Sequence, residues 1–176
     1  KEHVGDFVLS IGGYHPKFKV PAHYPRVPRV GFDWQLPEWG VVIKGEAYFA
    51  LTTSCIMVGG RLSVLFRAGP IRAWFEAYAD VLIGWAPFHY DIAIGVRIGV
   101  AFVMDFGAVS TALSFELGAA LQLWGPPFAG EVYVSLGFIS FTVPIGDRSA
   151  SRTATPLTWP QFASTFLPLD DRTPGQ

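Results

Sequence analysis

Tyr90-Asp91-Ile92-Ala93-Ile94-Gly95-Val96-Arg97-Ile98-Gly99-Val100-Ala101-Phe102 is the stretch that decides the fold. Its large apolar residues fall on every second position. Between them stand Asp91, Ala93, Gly95, Arg97, Gly99 and Ala101. A period of two places one set on each face of a strand. A helix would mix the two sets and would carry two interior glycines at a cost. The stretch therefore predicts a long two-faced strand.

The same reading extends outward in both directions. In Val41–Thr53, Lys44, Glu46 and Tyr48 alternate with Ile43, Gly45, Ala47, Phe49 and Leu51. Arg61, Ser63 and Arg67 alternate with Leu62, Val64 and Phe66. Arg72, Trp74, Glu76, Tyr78 and Asp80 oppose Ala73, Phe75, Ala77, Ala79 and Val81. Downstream, Ser114, Glu116, Gly118, Ala120 and Gln122 oppose Phe115, Leu117, Ala119, Leu121 and Leu123. Last, Glu131, Tyr133 and Ser135 oppose Val132, Val134 and Leu136. Every charge in these six runs lies on one face. Gly59-Gly60, Gly69-Pro70, Pro87, Phe106-Gly107 and Gly125-Pro126-Pro127 punctuate the runs, and short turns between strands imply an antiparallel meander. Runs of about 10–14 residues are long beside the usual 5–6.

The flanks differ. Residues 1–40 carry Pro16, Pro21, Pro25 and Pro28, which exclude a regular helix or a central strand over that span. Phe7 to Ile11 and Val30 to Trp34 read as short strands joined by a polyproline-like arm. In the tail, Trp159, Phe162 and Phe166 share one face of a short helix. The expected fold is all-β: a long-stranded antiparallel meander of about six long strands, as a curled sheet, sandwich or half-barrel. An irregular Pro-rich N-terminal arm and a short C-terminal helix or clasp accompany it. The expected division is a single β domain over 1–146, with 1–40 as arm and 41–146 as meander. Residues 147–176 are a linker and docking tail.

Composition limits function. The chain of 176 residues is 51% hydrophobic and only 15% charged, with a net charge of −1. That excludes a disordered tail and a nucleic-acid binder driven by bulk charge. The single Cys55 excludes a disulfide scaffold and leaves the compartment open, secreted or extracellular included. The chain begins Lys1-Glu2-His3 and shows no signal peptide, so a fragment or a processed product is expected. Residues 41–146 hold 12 of the chain's Asp, Glu, Lys and Arg, so the shortage of charge concentrates in the meander.

An uncharged sheet face of this size must be covered. It can pack on the terminal segments or on other strands. It can hold a lipid-like ligand. It can insert into a membrane as part of a barrel or pore, although six strands are fewer than the roughly eight of the smallest known barrels. The apolar residues expected to meet such a cover are Phe75, Ile92, Ile94, Val96, Ile98, Phe102, Leu117 and Leu121. The opposite face gathers Glu46, Glu76, Asp80, Asp91 and Glu116, which would suit a hydrolase if it formed a cleft. Cross-strand ion pairs are the plainer reading. His15 and His23 are too widely spaced for a metal site and read as turn residues whose rings cap backbone groups. Cys55 reads as a buried small hydrophobe. Nothing assigns a catalytic residue, a metal or a cofactor.

Several blocks occur together: Ser10-Ile11-Gly12-Gly13-Tyr14-His15-Pro16, His23-Tyr24-Pro25, and Ile43-Lys44-Gly45-Glu46-Ala47-Tyr48-Phe49-Ala50-Leu51-Thr52. Trp85-Ala86-Pro87-Phe88-His89-Tyr90 and Leu123-Trp124-Gly125-Pro126 follow. In this order they resemble the DUF6603 family, found in very long bacterial and fungal proteins. The resemblance spans about Gly5 to Gly146. It implies a part of a larger protein and brings no catalytic residue, cofactor or activity. The expected function is a non-enzymatic structural β module, with a lipid-like ligand as one expected occupant of its apolar face. Its expected partners are other domains of the same chain or further copies. A membrane-inserting β segment is the alternative, and a hydrolase the third.

Overall fold

The computed structural model describes residues 5–105, 107 and 110–146. It contains nine strands: β1 (Val8–Ile11), β2 (Val30–Leu36), β3 (Val41–Thr52), β4 (Cys55–Ala68), β5 (Ile71–Trp85), β6 (Phe88–Asp105), β7 (Ser110–Gly125), β8 (Ala129–Leu136) and β9 (Ile139–Gly146). A single 3-10 turn covers Pro37–Trp39. Every pairing is antiparallel, and the order β1-β3-β4-β5-β6-β7-β8-β9 is a meander. The sheet does not close. β1 and β2 lie end to end along the outer edge of β3, with Leu9 opposite Leu51 and Phe32 opposite Gly45. β9 forms the other edge.

The count is nine strands, not six. The six long runs are β3 to β8. β1 and β2 are the two short strands expected in the arm, β9 is the addition, and all three lie at the edges of the sheet. β9 contains Pro144, which stops a reading of a central strand but is tolerated at an edge, where no ladder donor is needed. The irregular N-terminal arm is also corrected. Its strands belong to the sheet, and the chain between them packs as core. The C-terminal helix or clasp falls in residues 147–176, outside the described residues.

Strand pairing joins the alternating runs into two whole-sheet faces. One register row reads Phe32, Gly45, Leu62, Ala77, Val96, Ala119, Val134 and Phe141. Its neighbours on that face are equally free of charge. The other face carries Lys44, Glu46, Arg61, Glu76, Asp80, Asp91, Arg97, Glu116 and Glu131. Aromatic rings there lie flat over glycines of the facing strand. A Cβ on Gly59 would meet the Tyr48 ring at 2.6 Å, one on Gly95 the Tyr78 ring at 2.3 Å, and one on Gly99 the Trp74 ring at 2.2 Å. Those glycines are small because the opposite ring occupies the space above them.

The buried core lies on this mixed face. Residues 12–29 leave β1, cross one end of the face and return as β2. They deliver Tyr14 and Tyr24 onto Tyr48, Ala50, Cys55, Met57 and Leu82. Tyr14 stacks on Phe18 and on Tyr24, with ring centroids 5.6 Å and 6.4 Å apart. Burial of these aromatics fixes a proline-rich segment that has no ladder of its own. The apolar face contributes nothing to this cluster.

Candidate functional site

The eight apolar residues singled out from the sequence share one face of β5, β6 and β7. Phe75 pairs with Ile98, and Ile98 with Leu117. Ile94 pairs with Leu121. Ile94, Val96, Ile98, Phe102 and Leu117 are exposed, Ile98 at 53%. Phe75, Ile92 and Leu121 are half-buried. The structure extends the face to residues not singled out. On one side it adds Leu9, Ile11, Phe32 and Trp34; on the other, Ile139, Phe141 and Val143, all exposed. The alternation of Val30, Phe32 and Trp34, and of Ile139, Phe141 and Val143, was the available signal.

A shallow cleft of about 390 Å³ lies on this face, lined by Val64, Phe66, Ala73, Phe75, Ile98, Val100, Phe115 and Leu117, with Trp74 and Gly99 beneath. It is almost wholly hydrocarbon. Ligand sites usually add a few placed polar groups that fix orientation.

The mixed face holds a second cleft, about 290 Å³, lined by Glu76, Tyr78, Arg97, Glu116, Tyr133 and Ser135 among others. Its carboxylates are engaged. Arg97 pairs with Glu76 directly across the strands and reaches Glu116 at 3.8 Å. The Trp74 indole N–H donates to Glu116 at 2.9 Å. Along the same face the Tyr48 hydroxyl donates to Asp80 at 2.7 Å, and Lys17 pairs with Asp91. Burial raises the Tyr48 hydroxyl well above its ordinary range, and Asp80 adds to this. Glu76, Asp80, Asp91 and Glu116 are thus spread along the face as bonded groups, the geometry of a cross-strand network, and Glu46 stands apart from them on β3.

Residues 1–175 match the family model described as "Family of unknown function (DUF6603)". The chain belongs to DUF6603. No curated protein and no solved structure matches it.

In this DUF6603 chain the segment over the mixed face is held by polar ties as well as rings. Asp6 accepts from Tyr24 at 2.7 Å and from Thr53 at 2.9 Å, and meets His23 Nε2 at 2.8 Å. The bond to His23, then that to Tyr24, holds the Asp6 carboxyl down at about 2. Burial, with help from Asp6, pushes the Tyr24 hydroxyl up to about 12. His15 is 3% exposed, and its Nδ1 accepts the Lys17 backbone N–H at 3.2 Å. That bond places the proton of the neutral ring on Nε2. Burial lowers the His15 pKa below its usual 6.5, against the pull of Asp91 and Asp80 and with the push of Lys17 and Arg29.

This has a testable consequence. The unfolded His15 takes up a proton near 6.5 while the folded one resists it. Its contribution to stability is complete above that pH and is lost as pH falls below it. The urea midpoint is expected to fall between pH 7 and pH 5, and His15→Asn, which keeps an acceptor, to reduce that fall. An equal fall in the variant would contradict the assignment. Asp6 acts lower. Its contribution persists above 3.8 and disappears as pH approaches 2.

Proposed function

We propose that the chain is a non-enzymatic structural β module whose apolar sheet face is an assembly surface, buried against another protein surface in the working molecule. One observation carries this reading: an uncharged face that runs across all nine strands and, among the described residues, lies open. With eight strand positions about 4.8 Å apart and about 3.3 Å per residue, it covers on the order of 1,000–1,500 Å². The largest apolar patch on an ordinary monomer is about 300–600 Å². Two such faces together fall in the range of obligate interfaces, roughly 2,000–5,000 Å², which resemble a domain core cut in half.

Protein is favoured over lipid as the cover. Among the described residues the sheet has two open edges, and in a bilayer each unpaired backbone group costs several kcal/mol. The cleft on the face offers a lipid no polar anchor. The face also has relief, with Ala77 and Ala119 set between Leu62, Val96 and Val134. Fluid acyl chains need no such relief, whereas a close-packed protein surface does. The partners held by Glu76, Asp80, Asp91 and Glu116 on the mixed face argue against a hydrolase. Partners of this kind are other modules of a longer chain or further copies of this one.

Native mass spectrometry with organic extraction tests the reading. The protein is expected to be lipid-free and to stay in the aqueous fraction when mixed with liposomes. Co-purified lipid, or flotation with the vesicles, would overturn it.

A further inference from the structure

Resting on the reading that protein covers the apolar face, we infer that part of that cover is the chain's own segment 153–169, laid over the middle of the face. The segment lies between Arg152 and Asp170 and carries no charge of its own. Six of its 17 residues are large and apolar: Leu157, Trp159, Phe162, Phe166, Leu167 and Leu169. In water such a run is as unfavourable as the bare face, and each removes the other's exposed surface.

Three observations choose this segment over another protein. The family match takes in residues 1–175, so the unit that has the face also has the segment. The segment is joined to β9 through residues 147–152 alone, and a link that short sets an effective concentration on the order of millimolar. The third is reach. Ile98, in the apolar cleft, lies in the same register row as Ile139, three strands in from β9. Gly146 ends β9 seven residues further along. Ile98 is therefore about 23 Å along the strands and about 14 Å across them, or roughly 27 Å away. The 11 residues from Gly146 to Leu157 span up to about 36 Å, so the whole apolar part of the segment reaches the cleft.

The choice of face follows from charge. On the mixed face the segment would take Arg97, Glu76 and Glu116 out of water and offer them no charge in return. On the apolar face it desolvates hydrocarbon. The phenyl rings of Phe162 and Phe166 need no polar partner and suit the cleft, whereas Trp159 has an indole N–H to satisfy and suits its rim. At the roughly 30–40 Å² per residue of a standard interface, 17 residues cover about 500–650 Å². The rest of the face stays open to a neighbouring module or copy.

Photocrosslinking in the full chain tests this. p-Benzoylphenylalanine replaces Ile98, which is 53% exposed and tolerates a larger side chain. Trypsin cuts after Arg152 and Arg172, so the segment is released as one peptide, 153–172. Irradiation of dilute protein, mixed with an equal amount of the ¹⁵N-labelled chain, is expected to link Ile98's replacement to 153–172 of the same isotope. Phe162→Ser with Phe166→Ser should cut the yield about tenfold. The same photoreactive residue at Tyr133, on the mixed face, should give no link to the segment. Circular dichroism confirms the sheet, and Val100 replaces Ile98 as the labelled position should the first variant lose it. A link to 153–172 of the other isotope, or an unchanged yield in the serine variant, overturns the chain's own segment as cover. A link to any other protein surface also overturns it and leaves the assembly reading standing. No link to protein overturns both.

Discussion

Gly12→Ala is expected to destabilise the chain by about 2–5 kcal/mol, the sum of a backbone and a packing term. Gly12 has φ +74°, in the left-handed region. An L-residue there costs about 1–2 kcal/mol. The new Cβ would also sit 2.3 Å from the Ala47 carbonyl oxygen and 3.1 Å from Tyr48 Cα. Both belong to the backbone of β3, which is paired with β4 at these positions and cannot retreat. Overpacking of this kind adds about 1–3 kcal/mol. Gly12 is where the chain turns from β1 onto the mixed face, and its carbonyl accepts from Arg29 at 3.0 Å. The expected fall in Tm is roughly 5–15 °C for a chain of this size. Gly69→Ala is the control. Its φ is +56° with nothing within 4 Å of the new Cβ, so it carries the backbone term alone. Equal losses in the two variants would show that Gly12 does not hold the segment against β3.

Met57→Ala is expected to cost about 2–5 kcal/mol, the range for truncating a fully buried side chain. Met57 is 0% exposed on the mixed face, among Tyr14, Tyr24, Tyr48 and Leu82. The next residue, Val58, points to the apolar face and is 46% exposed. In dilute monomer, Val58→Ala should cost less than about 1 kcal/mol, since a half-exposed side chain has little packing to lose. The pair of urea unfolding curves therefore reports which face holds the core of the single chain. A larger loss at Val58 would place the core on the wrong side.

The long strands were legible because their alternation is strict over Tyr90–Phe102 and its neighbours. Charges on one face and glycine-proline punctuation gave the meander and both faces. The edges were harder to read. β1 and β2 are legible as short strands but not as the edge of this sheet, and β9 is interrupted by Pro144, so its alternation does not stand alone. The small residues of the mixed face pointed to close packing. Their cause, rings lying over Gly59, Gly95 and Gly99, depends on which residues oppose each other, and register is not written in one strand. The core beneath Tyr14 and Tyr24 was least legible. A proline-rich segment looks like an arm until its aromatic residues are seen to land on Met57 and Tyr48. The candidate surface was legible as a face of β5 to β7. Its extent was not, because Trp34 and Phe141 reach it only through edge pairing.

The most direct measurement is the collisional accessibility of a spin label placed at Val96→Cys. Val96 sits centrally on the apolar face, and Cys55 is 3% exposed and so shielded from the labelling reagent. Oxygen partitions into lipid, whereas a nickel chelate stays in water. A face covered by protein predicts slow collisions with both. Frequent collisions with the nickel chelate would mean a bare face in water. Frequent collisions with oxygen alone would mean lipid, and either result would contradict the assembly surface.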